Sequence, residues 1–224
     1  MWESEAKWIA SQVNEIRFND ALSTISCLNL GSSTLEYRIS KPYIELLMES
    51  ISRRGVTITH VDGKQGEGID ISGDFCDKQF RLNLSKRKYD LILCNNVLTH
   101  VQSASCVYEI INGCLAEGGY VIVSAPNIYP YCADPYDSKY RPSAEEIARN
   151  LPRFRVEKWT EIESTETHLT RLVQNPRQLF SFLHNICVPL RGIKRLKNVF
   201  SDVFNINKKF RIVCVVMKYP HNCN

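Results

Sequence analysis

Glycine is scarce where a nucleotide-binding loop would need it. The 224-residue chain has 10 glycines, and none fall as G-x-G-x-x-G. That spacing lets a strand-to-helix turn cradle a pyrophosphate, so its absence argues against a dinucleotide site. Long hydrophobic runs are missing too. No stretch approaches the roughly 18 apolar residues of a membrane span. The opening stretch MWESEAKWIA carries acids and no apolar signal core, so it reads as lacking a secretion signal. Cysteine is not scarce, with nine in all, but no C-x-x-C or Cys/His ligand spacing occurs. The count is odd, and several cysteines sit in apolar strand-like runs, where a thiol behaves as a small hydrophobe. The expectation is reduced thiols, no metal site and a cytoplasmic chain.

What is present is ordinary for a globular protein: 44% hydrophobic and 23% charged residues. The length suits one α/β domain over residues 1–224. The net charge of +4 is too small to imply nucleic acid, and its distribution says more. Between His168 and Arg211 there are nine lysines and arginines (Arg171, Arg177, Arg191, Lys194, Arg195, Lys197, Lys208, Lys209 and Arg211) against Asp202 alone, a local excess of +8. Residues 168–205 read as a basic, helical insertion before the last strand. Its mixture of Leu, Phe and Ile with cations suits either packing on the sheet or a partner subunit, or contact of 171–211 with an anionic inner-membrane surface.

Helical spacing marks 2–20, 40–55 (Ser40 as N-cap, Pro42 in the first turn, Gly55 as stop), 103–119 and a capping box opened by Ser143 with Glu146. Strands are expected at 23–30, 56–62, 69–74, 89–96, 120–126, 154–159 and 209–220. Strands alternating with helices imply a Rossmann-like, doubly wound, mostly parallel sheet covered on both faces. Ligands of such sheets bind beyond the carboxyl ends of the strands, so the residues there are the candidates.

After the first strand comes Asn29-Leu30-Gly31, where glycine permits a tight turn and close backbone approach. After the second comes Asp62, a carboxylate able to accept both hydroxyls of a ribose. After the third come Asp74 and Phe75, an acid and a ring suited to the amino edge and face of adenine. Asn95 and Asn96 end the fourth. His100 follows, a candidate general base because imidazole titrates near neutrality. After the fifth comes a loop with Tyr129, Tyr131, Tyr136 and Tyr140 beside Asp134 and Asp137, a polar aromatic wall that suits sugars or ordinary loop packing.

The order of these features, with "YDLILCNNVLTHV" at the fourth strand and "LAEGGYVIVSAP" at the fifth, resembles the class I S-adenosylmethionine (SAM)-dependent methyltransferase family. "HVDGKQGEGIDISGDFCD" and "YPYCADPYDSKYRPSAEEI" are more narrowly similar to a bacterial branch associated with surface-polysaccharide biosynthesis. The resemblance implies SAM as cofactor, with Gly31 against its methionine part, Asp62 on ribose, Asp74 and Phe75 on adenine, and Asn95 closing the site. His100 and Asp134 would then be catalytic, with a hydroxyl of a sugar or lipid-linked saccharide as acceptor. The chain has Asn29 where the family usually has an acid, Ser33 for a second glycine, and Thr99 and Cys132 where the narrower branch has an acid and a histidine. These departures leave a second reading open, a catalytically inactive methyltransferase-like subunit that binds and regulates a protein partner.

Overall fold

The structure is a computed structural model that describes residues 1–18, 24–132, 136–167, 169–170 and 208–220. Asp134 and nearly all of the basic 168–205 segment therefore lie outside the described residues.

Seven strands form one sheet: β1 (Ile25–Leu30), β2 (Val56–Asp62), β3 (Ile71–Ser72), β4 (Tyr89–Asn95), β5 (Leu115–Ile128), β6 (Arg155–Thr167) and β7 (Lys209–Lys218). Their order is β3-β2-β1-β4-β5-β7-β6. β1 to β5 run parallel, whereas β7 is antiparallel to both β5 and β6. The parallel strands read as apolar runs because both faces are covered. Leu28, Leu30 and Ile92 bury one face of the sheet against α5 (Ala104–Cys114) and α6 (Ala144–Asn150). Cys27, Leu91 and Leu93 bury the other against α1 (Glu3–Glu15) and α3 (Pro42–Ser52).

The order departs from sequence order at β1, where the chain crosses from β3 on one side to β4 on the other. That is the switch point at which a crevice opens in a doubly wound sheet. Two short helices frame it, α2 (Leu35–Ile39) after β1 and α4 (Lys78–Leu84) after β3.

Several expected boundaries need correction. Ser40 does not cap α3. It closes α2, and Lys41 stands at the N-cap with Pro42 as the first helical residue. The helix from 103 stops at Cys114 rather than at Gly118-Gly119, because Leu115 already pairs with Tyr89 as the start of β5. β3 is reduced to two paired residues, and α4, capped by the Asp77 side chain on the Phe80 amide, was not anticipated. β6 extends to Thr167, well beyond the expected 159, because β7 offers a long antiparallel partner. The Ser143–Glu146 capping box forms as expected. Among the described residues, no helix is long and apolar enough to cross a membrane.

Candidate active site

The carboxyl ends of β1, β2 and β4 open into one cleft of about 880 Å³, within the range of small-molecule and cofactor pockets. Gly31, Asp62, Asp74, Phe75, Asn95 and His100 all line it. Asn96 and Tyr136 line it too, whereas Tyr129, Tyr131, Asp137 and Tyr140 of the aromatic loop do not.

The turn after β1 is built by its backbone. The Gly31 and Ser32 amides both donate to the Val61 carbonyl, at 2.8 and 3.2 Å. Gly31 has φ +67°, and a Cβ there would collide with the Val97 side chain, so glycine is required on both counts. Ser33 also adopts a left-handed conformation, φ +58°. Its amide donates to Asp62 Oδ2 at 2.7 Å, while the Lys64 backbone amide donates to Oδ1 at 2.9 Å. A carboxylate has about four acceptor sites, so Asp62 keeps capacity for hydroxyl donors from a ligand.

Arg38 of α2 ties the loop from beneath. Its buried guanidinium donates to the Ser33 carbonyl at 2.6 Å and the Gly68 carbonyl at 2.9 Å. Asn29, also buried, donates to His60 Nδ1 at 3.2 Å. Burial, reinforced by the Arg38 guanidinium, pushes His60 down to about 4 against the pull of Asp70. His60 is therefore neutral near pH 7 and free to accept at Nδ1.

On the far side of β2, Asp74 Oδ1 accepts from the Cys76 amide at 2.8 Å, which fixes the carboxylate at the cleft edge. Phe75 is buried and stacked on Phe80, ring centroids 6.2 Å apart.

At the end of β4, the Asn95 Oδ1 lies 3.2 Å from the Ser124 hydroxyl oxygen. Asn96 turns the chain with φ +59°. His100 Nδ1 lies 2.7 Å from the Tyr136 carbonyl oxygen. A carbonyl only accepts, so this bond needs the hydrogen on Nδ1 and leaves the Nε2 lone pair of the neutral ring available. Among the described residues the group that orients the ring is thus a backbone carbonyl; Asp134, the other catalytic candidate, lies outside them.

The second acid of the loop, Asp137, has a structural role. Its fully buried carboxylate pairs with Arg141 at 2.7 Å and accepts from the Cys132 and Lys139 amides at 2.8 and 2.7 Å. Burial opposes its ionisation, but these donors outweigh that and hold it down at about 2. Tyr136 and Tyr131 are exposed, and Tyr136 lines the cleft.

Sequence reasoning missed Arg38 and the Tyr136 carbonyl, whose bonds to or from backbone carbonyls no residue type announces. It also missed Glu5, a fully buried acid on α1. Glu5 was detectable, because it sits four residues before Ile9 on the stripe that continues through Val13.

No protein-family model and no curated protein matches this sequence. Solved structures do match its fold. The MccD protein superposes with a TM-score of 0.54 at 13% identity, over 96% of this chain and 98% of that one. A Bacillus halodurans C-125 protein assigned as a methyltransferase gives 0.53 at 9% identity, over 94% and 98%. Coclaurine N-methyltransferase, solved with N-methylheliamine and S-adenosylhomocysteine (SAH), gives 0.53 at 12% identity, over 96% and 71%. The chain has the Rossmann-like fold of SAM-dependent methyltransferases.

Proposed function

We propose that the chain is a SAM-dependent methyltransferase, with residues 1–224 as one methyltransferase-like domain. The observation that carries the reading is the convergence of Gly31, Asp62, Asp74, Phe75 and Asn95 on one cleft at the switch point of a methyltransferase-type sheet. The residues fit the cofactor. Gly31 makes the left-handed turn that brings the loop backbone to the cleft, Asp62 retains acceptor capacity for a ribose, and Asp74 with Phe75 offers an acceptor and a ring edge for adenine. The absence of a phosphate-binding glycine pattern is consistent with a ligand that carries no phosphate.

SAM supplies an electrophilic methyl group on a sulfonium. We take the acceptor to be a hydroxyl of a sugar or lipid-linked saccharide, with the exposed Tyr131 and Tyr136 as the flanking aromatic surface. A hydroxyl must lose its proton as the carbon–oxygen bond forms and the carbon–sulfur bond breaks. His100 Nε2 takes that proton, with the ring held by the Tyr136 carbonyl. Holding acceptor and methyl group in line supplies much of the acceleration, because the donor is already reactive.

One observation favours the alternative, a non-catalytic subunit that regulates a partner protein. At Asn29 the family's usual acid is replaced by an amide already engaged by His60. Calorimetric titration with SAM separates the two. Micromolar binding supports the enzyme, and no heat at millimolar SAM supports the subunit.

A further inference from the structure

Glu5 is fully buried, 0% exposed, at the first turn of α1. Burying a carboxylate is costly unless it is paired or fully hydrogen-bonded. Its partners are all neutral. Oε1 accepts from Asn96 Nδ2 at 2.8 Å and from the Ser124 hydroxyl at 2.6 Å, and Oε2 accepts from the Trp2 amide at 3.0 Å. Asp137, the other buried acid among the described residues, has Arg141 as counter-ion. No salt bridge to Glu5 occurs among the described residues.

The position of this unpaired charge is informative. Asn96 lines the cleft, and the Ser124 hydroxyl oxygen lies 3.2 Å from Oδ1 of Asn95, which lines it as well. Glu5 thus holds Asn96 at the end of β4 and stands one amide behind the cleft wall. Asn29, at the end of β1, is neutral. A carboxylate held in low dielectric acts over several ångströms, and a cation entering the cleft would supply the missing counter-charge.

Resting on the SAM-binding reading above, we infer that Glu5 is the residue through which this cleft favours a cationic cofactor over its neutral product. It is a positioning residue, acting through Asn96 and Ser124 rather than by contact. SAM and SAH differ by the sulfonium methyl group and its positive charge, so their affinity ratio isolates this effect from packing.

The test is calorimetric titration of the full chain and of Glu5→Gln with SAM and with SAH. Glutamine keeps an oxygen for Asn96 and Ser124 and removes the charge. The variant is expected to bind SAM about tenfold more weakly, equivalent to ~1.4 kcal/mol, with SAH affinity unchanged within about threefold. Equal weakening for both ligands, or an unchanged ratio, would overturn the inference while leaving the SAM site intact. If the unmodified chain binds neither ligand, the SAM reading itself fails. Val13→Ala, on the same helix and equally buried, controls for loss of stability. It should lower the melting temperature without moving the ratio, and a ratio that shifts as much as in Glu5→Gln would also overturn the inference.

Discussion

The two halves of the cleft are built differently. Around β1, β2 and β3 the geometry is set by backbone bonds close to the sheet: Gly31 and Ser32 on Val61, Ser33 on Asp62, and Gly73 on the Asp62 carbonyl. Beyond β4 and β5 it depends on loops that meet from far apart in sequence. His100 bonds the carbonyl of Tyr136, and Ser138 bonds that of Thr99 through both amide and hydroxyl. The first half is a fixed receptacle. The second is an assembly of two loops, the later of them braced internally by the Asp137–Arg141 pair. On the proposed reading, a constant ligand suits the first and acceptor specificity belongs to the second.

Substitutions should respect that division. The largest effect is expected for His100→Ala, which removes the proposed base. Methyl transfer to a hydroxyl acceptor should fall roughly 100- to 10,000-fold with SAM affinity unchanged. Single-turnover assay and calorimetry read the two quantities separately, and unchanged turnover would remove His100 from the mechanism. Next, Gly31→Val forces a branched side chain into a left-handed conformation and against Val97. SAM affinity should drop about 100-fold, or ~2.7 kcal/mol. If affinity is retained, the turn after β1 does not face the cofactor.

A smaller effect is expected at that internal brace. The Asp137 carboxyl is held at about 2, below its ordinary value of 3.8. A depressed pKa stabilises the fold above the ordinary value, and the contribution is lost as pH falls toward 2. Asp137→Asn should therefore cost roughly 2 kcal/mol near pH 7 by denaturant unfolding, and the cost should fade between about pH 4 and pH 2. SAM affinity at neutral pH should change little, since Asp137 belongs to the loop half. A parallel loss of SAM binding would show that the halves are coupled.

The same contrast explains what could be read from the sequence. Gly31, Asp62 and Asp74 were legible because a parallel sheet places strand ends together, and the strands announce themselves as apolar runs. His100 was legible as a residue type, but its orienter was not. The bond to Tyr136 links residues 36 apart and uses a carbonyl that every residue possesses. Asp134 and Asp137 were indistinguishable as neighbouring loop acids. Only the placement of Arg141 four residues on, with the two amides, gives Asp137 its structural role. The early stop of α5 was hidden because Leu115 and Ala116 suit a helix. Pairing with Tyr89 overrides that local preference. Glu5 was passed over because an acid in the first turn of a helix ordinarily faces solvent.

The proposed function requires the cleft at the ends of β1, β2 and β4 to hold SAM. Isothermal titration of the unmodified chain with SAM at neutral pH tests this most directly. One SAM bound per chain with a micromolar Kd is the expected result. No detectable heat at millimolar SAM would contradict it.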